Sequence, residues 1–257
     1  YTVTFVDWDD RVIDTQTVAH GNSARAPEAP AREGYTFTGW DVGFDNVTEA
    51  LTVKAQYEVI DYTLTIKYEH TDGSEAAATY TATLHIGDEY SVPSPPITGY
   101  TPDQATVSGT MPADNVTVTV VYTANKYTIT FNTDGGSEVD SITLDYGAAV
   151  TVPAAPTKEG YTFAGWDPAL PATMPAEHLI VTAQWAINKY TVTFVDHDGT
   201  AIDIQTVEHG GSAIAPADPE RAGYTFTGWD VAFNNVTEDL TVKAQYEVID
   251  YTLTIKY

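Results

Sequence analysis

Carboxylates crowd into certain short runs of this sequence, and cation binding is the chemistry they could support. Asp7, Asp9 and Asp10 stand together in "DWDDR", and Asp196 and Asp198 in "DHDG". Oxygen ligands at that density are what calcium takes. Neither stretch continues with the mid-loop glycine and closing bidentate glutamate of an EF-hand. Asp7, Asp9, Asp196 and Asp198 are therefore the calcium candidates, set against a reading as solvated turns, and no metal or cofactor is expected. Six histidines (His20, His70, His85, His178, His197, His209) are dispersed without HxH or HExxH spacing, so solvent-facing turns describe them better than a zinc site. With no cysteine in the chain there is no disulfide, thiolate nucleophile or cysteine zinc site. GxSxG, P-loop and GxGxxG motifs are missing, and "DGGS" and "HGGS" read as hairpin-turn glycines. An internal lysine isopeptide needs a buried lysine beside a carboxyl or amide partner, whereas Lys126, Lys189, Lys54 and Lys243 read as exposed. "NVT" at Asn46, Asn115 and Asn235 has the form of a glycosylation sequon but reads as the end of a turn. Catalytic residues are expected to be none.

What the chain does instead is repeat itself. Residues 1–60 laid on 190–249 agree at 45 of 60 positions, and 61–68 ("DYTLTIKY") equals 250–257. Inside that long period, "YT[VLI]T[FI]" recurs at Tyr1, Tyr62, Tyr127, Tyr190 and Tyr251. Four modules follow, at 1–60, 61–125, 126–188 and 189–249, with 250–257 as the first strand of a fifth. Each opens on strict alternation, as in Tyr1, Val3 and Phe5 against Thr2 and Thr4, and closes the same way, as in Leu51, Val53, Ala55 and Tyr57. That is the period of a half-buried strand, in residues that favour pleated surfaces. Between the strands lie Asp/Gly turns and Pro-rich runs such as "APEAPAREG", and no helix-period stripe appears.

The motif "GYTFxGW" stands at 34–40, 160–166 and 223–229. Its aromatics are predicted to be structural core: Tyr35, Phe37 and Trp40; Tyr161, Phe163 and Trp166; Tyr224, Phe226 and Trp229. The glycine before each tryptophan allows a bulge that re-aims the indole. A module of about 60 residues buries little by itself, and three large aromatics per copy supply what chain length does not. An exposed aromatic platform for carbohydrate is the competing reading.

Lys plus Arg number 11 against 36 Asp plus Glu, a net charge of −25 that repels nucleic acid and anionic lipid. A hydrophobic share of 43% with 17 Tyr and 5 Trp is too apolar for a disordered chain. Apolar runs of only a few residues give no membrane insertion. No basic and apolar leader opens the sequence, so it reads as an interior fragment.

The first, third and fourth modules, through "YTVTF", "EGYTFTGW" and "LTVKAQY", resemble the Listeria-Bacteroides repeat of the internalin B-repeat type. The second, through "DYTLTIKY", "ITGYTP" and "VTVTVVY", resembles the mucin-binding-protein (MucBP) repeat, although it lacks the Trp and carries "GYTPDQ" at 99–104. The resemblance implies tandem small β-grasp-like modules with mixed sheets, an all-β to α+β fold with little or no helix; the junctions "QYEVIDYTLT", "VYTANKYTIT" and "QWAINKYTVT", which contain neither Gly nor Pro, are too short for flexible tethers and set the modules in an elongated rod. The resemblance further implies an extracellular, bacterial cell-surface location, attached to the wall through regions outside this sequence. The function implied is a non-catalytic adhesin stalk; the alternative is binding of a host glycan, mucin or matrix protein, most plausibly by 61–125. Neighbouring modules of the same chain are the expected partners.

Overall fold

The computed structural model describes residues 1–255, which form strands, turns and irregular connections; among them there is no helix. The fold is all-β, as the period-2 alternation and the threonine, valine and tyrosine content require. The chain divides into two units, residues 1–125 and residues from Lys126 onward.

In the first unit, β1 (Thr2–Val6), β2 (Val12–Thr17), β3 (Tyr35–Trp40) and β4 (Leu51–Val59) make a sheet in the order β2-β1-β4-β3. The central strands β1 and β4 run parallel, with Phe5 beside Val53, and the outer strands are antiparallel to them. A parallel pair needs a long crossover. Here the chain between them passes through β2 and β3, and the irregular connections on either side of β3 cover the sheet's apolar face. Val3, Phe5 and Val53 from the sheet and Val18, Ala24 and Val47 from the connections are buried together.

The second sheet uses β5 (Tyr62–His70), β6 (Glu75–Leu84), β7 (Glu89–Pro93), β8 (Tyr100–Pro102), β9 (Thr106–Thr110) and β10 (Val116–Ala124). Its order is β6-β5-β10-β8, with β7 and β9 as a separate antiparallel ribbon. The proline in "GYTPDQ" offers no amide donor, and β8 stops there after three residues. Tyr68 and Tyr122, both buried and 6.3 Å apart edge to face, fill the core that a tryptophan helps fill elsewhere.

The second unit repeats the first sheet's plan twice. β11 (Lys126–Asn132), β12 (Ile142–Asp145), β13 (Tyr161–Asp167) and β14 (Leu179–Ile187) take the order β12-β11-β14-β13. β15 (Lys189–Val195), β16 (Ala201–Glu208), β17 (Tyr224–Trp229) and β18 (Leu240–Val248) take the order β16-β15-β18-β17. Residues 250–255 are exposed and carry no strand, and the remainder of the expected strand at 250–257 lies outside the described residues.

Candidate functional site

The aromatic motif and the first turn come together at one end of each tryptophan-bearing sheet. In a regular strand, residues three apart face opposite sides. Phe37 pairs with Tyr57, Gly39 with Gln56 and Trp40 with Ala55, so Thr38 is skipped. This β-bulge, with Gly39 at φ 140°, returns Trp40 to the face of Tyr35 and Phe37. The same slip occurs at Phe163/Gly165 and Phe226/Gly228.

An edge-to-face chain of rings results, the geometry aromatic quadrupoles favour. Trp40 lies 4.9 Å from Phe5 and 5.4 Å from Phe37, and Phe37 lies 5.9 Å from Tyr57. Trp229 repeats it at 4.9 Å from Phe194 and 5.3 Å from Phe226, and Trp166 at 4.9 Å from Phe131 and 5.1 Å from Phe163. All three tryptophans pack on their buried clusters while staying half-buried.

The tyrosine that opens the motif departs from the core role expected of it. Tyr35 and Tyr224 are half-buried, with the Arg32 and Arg221 guanidinium carbons each 3.6 Å from the ring centre. Tyr161 is 37% exposed, with the Lys158 ammonium 4.8 Å away. A cation lies over each of these partly exposed rings. Arg32 also lies 4.2 Å from the exposed Trp8 ring. These cations were not singled out from the sequence, though the signal was there: a basic residue stands three positions before the tyrosine in all three copies.

The turn carboxylates serve the same closure. Tyr57 Oη donates to Asp7 Oδ1 at 2.6 Å, the Trp8 amide donates to the same oxygen at 2.8 Å, and Arg11 reaches Oδ2 at 3.3 Å. Burial alone would raise the Asp7 carboxyl, but these donors outweigh it and hold the group below its ordinary value. Tyr57 is pushed up to about 12 by burial and by Asp7. Asp7 is therefore turned inward, with both carboxylate oxygens accepting hydrogen bonds. Asp9 caps the Arg11 amide. Asp196 accepts from Tyr246 Oη at 2.6 Å and the His197 amide at 2.7 Å, which bring it down to about 2. Asp198 accepts from the Thr200 amide. The ligand-capable atoms of Asp196, His197 and Asp198 lie within 4.8 Å of one another. Turn hydrogen bonding accounts for that gathering.

Two histidines also depart from the solvent-facing reading: the Nδ1 atoms of His70 and His209 are buried. Shallow surface grooves accompany the aromatic ends. One of about 620 Å³ is lined by Asp218, Glu220, Arg221 and Tyr224. Another of about 530 Å³ in the second sheet is lined by Pro95, Pro96, Ile97, Tyr100 and Pro102.

Comparison with known proteins matches residues 1–65, 127–169 and 190–254 to the Listeria-Bacteroides repeat domain and 63–123 to the MucBP domain. Both are repeat and adhesin-type domains rather than enzyme families. A protein carrying the name Gly-rich membrane protein, from Evansella cellulosilytica, is 28% identical over 280 residues, covering 88% of this chain and 32% of that protein. Internalin H of Listeria monocytogenes serovar 1/2a is 41% identical over 112 residues, covering 40% of this chain and 20% of that protein. The chain thus spans less than a third of the length of either relative. A solved MucBP domain from Lactobacillus acidophilus is 26% identical, covering 26% of this chain and 92% of that one, with a TM-score of 0.21.

Proposed function

The chain belongs to the Listeria-Bacteroides repeat domain family, and from that premise we propose that it is a non-catalytic stalk in an adhesin-like bacterial surface protein. It holds a distal region away from the cell, and the protein is wall-attached through regions outside these residues. The observation that carries this reading is the strand-to-strand junction. β4 ends at Val59 and β5 begins at Tyr62; β14 ends at Ile187 and β15 begins at Lys189. One or two residues without Gly or Pro are too few for a flexible tether. Because the first and last long strands of a sheet are parallel, the chain enters a module at one end and leaves at the other. Small-angle scattering tests the stalk. A radius of gyration above about 30 Å is expected, and one near about 18 Å, that of a compact globule of this length, would overturn it.

A second reading is favoured by the groove at Pro95–Pro102 and by the MucBP match: residues 61–125 bind a host glycan or matrix protein. Its apolar floor of proline and tyrosine suits the nonpolar face of a sugar ring. A glycan array probed with the whole chain and with Tyr100→Ala would separate this binding role from a spacer.

A further inference from the structure

The glycine that opens "GYTF" has a role beyond its own module. Gly34, Gly160 and Gly223 adopt φ of 77°, 75° and 78°. Each carbonyl accepts, at 2.9 Å, the amide of the residue just after the module's last strand: Ile60, Asn188 and Ile249 respectively. The glycine thus sits where one module hands over to the next.

Within the first unit, the Ile86 side chain of the second module lies directly on Gly34; a Cβ added there would stand 2.9 Å from the Ile86 Cβ. Within the second unit, the His209 ring lies on Gly160, and an added Cβ would meet Cγ at 2.5 Å and Nε2 at 2.8 Å. Real side chains do not approach so closely, so only glycine leaves room. Both Gly34 and Gly160 are buried, whereas Gly223 is exposed and no described residue comes within 4 Å of a Cβ there.

The projecting residue is held as firmly as the hollow it enters. It precedes a glycine, Gly87 or Gly210, in the loop after the module's second strand. Gly87 donates to the Met111 carbonyl and Met111 to that of Asp88; Gly210 donates to Val236 and Val236 to Gly211. Met111 and Val236 are buried core residues, so each loop is pinned to its own core. Polar side chains flank the loop in both cases: Asp61 Oδ1 lies 2.9 Å from His85 Nε2, and the Lys189 ammonium lies 3.5 Å from the Glu208 carboxylate at the end of β16.

We infer that these glycines are inter-module sockets, and that the exposed face at Gly223 is a docking surface for a MucBP-type module that seats an isoleucine there. The occupant is indicated by the linker. Residues 249–257, "IDYTLTIKY", equal residues 60–68, the run that carries the chain from the Gly34 socket into the module bearing Ile86. The socket deepens the stalk reading by locking each joint. An extended chain whose joints ignored the glycines would keep the stalk and lose the socket.

The test uses three matched substitutions. Gly34→Ala, Gly160→Ala and Gly223→Ala impose the same left-handed backbone strain, so any difference among them reads the socket alone. In the 257-residue chain, Gly34→Ala and Gly160→Ala should lower the thermal midpoint of their adjoining modules by several degrees more than Gly223→Ala lowers its own. Where a variant fails to fold, Ile86→Ala removes the same contact from the other side and should uncouple the first two modules' transitions. Appending the sequence of residues 69–125 after Tyr257 completes a second MucBP-type module. In that longer chain Gly223→Ala should become as damaging as Gly34→Ala. Equal effects of all three in the original chain, or an unchanged Gly223→Ala effect in the longer one, would overturn the proposal. So would concentration-dependent association of the original chain that Gly223→Ala abolishes, which would make the occupant a second copy.

Discussion

Residues 1–60 and 190–249 are two readings of one design, and their differences are unevenly placed. Val3, Phe5 and Val53 recur as Val192, Phe194 and Val242, all completely buried. The first turn changes: Trp8 stands where the later copy has His197, Asp10 where it has Gly199, and Arg11 where it has Thr200. Yet the turn's central hydrogen bond survives, Tyr57 to Asp7 and Tyr246 to Asp196, both at 2.6 Å. The two turns thus teach which parts a module requires. Ring packing and one buried-end hydrogen bond are common to both, while the side chains that project from the turn are free to differ.

The largest test of that equivalence is in the core. Phe5→Ala and Phe194→Ala should each cost about 3–5 kcal/mol, equally within about 0.5 kcal/mol. Urea unfolding followed by amide signals local to each module measures both. Unequal losses would break the equivalence of the two cores.

A smaller effect should separate the copies at the shared hydroxyl. The Asp7 side chain is 5% exposed and that of Asp196 is 23% exposed. Tyr57→Phe leaves a buried carboxylate short of a donor and should cost about 1–3 kcal/mol. Tyr246→Phe should cost less, because water reaches Asp196. Paired denaturation curves decide it, and a larger loss in the later copy would show that burial is not what separates them.

Acid sharpens the same contrast. Asp196 titrates at about 2 in the folded chain, below the ordinary aspartate value near 3.9. A depressed folded value means stability that is fully present above the ordinary value and is lost as pH falls through the folded one. The denaturation midpoint of the 190–249 module should therefore fall between about pH 4 and pH 2. Tyr246→Phe, which removes the largest cause of the shift, should flatten that fall.

The smallest effect concerns the turn backbone. Asp10 holds φ 63° and Gly199 holds φ 87°. Gly199→Asp should destabilise by about 1 kcal/mol, since a side chain disfavours that region. Asp10→Gly should be close to neutral: it relieves the strain but loses the exposed Lys54 pair at 2.7 Å, worth about 0–1 kcal/mol. Thermal melts of the two reciprocal variants measure the asymmetry.

Most of the fold was legible because its information is local and repeated. Alternation marks strands such as Thr2–Val6 and Leu51–Val59, and the glycine inside "GYTFxGW" marks the bulge that turns Trp40 inward. The candidate site was legible only in part. Asp7 looked like a solvated turn carboxylate, and nothing near it in sequence told of Tyr57, which lies 50 residues on. Arg32 stood in plain view three residues before Tyr35, but its place over the ring depends on the Pro-rich segment folding back across the sheet.

By itself, then, the sequence determined the repeat of like strands, the strand periods, the ring-bearing motif and the absence of cysteine chemistry. These follow from residue types at fixed short spacing, where backbone geometry alone dictates which face a side chain takes. Only the tertiary structure decided that β1 lies parallel to β4, that Asp7 points inward, and that the side chains of Ile86 and His209 come to lie on Gly34 and Gly160. Each of those depends on segments 20 or more residues apart meeting in space, and a local pattern carries no record of which distant side chain will arrive.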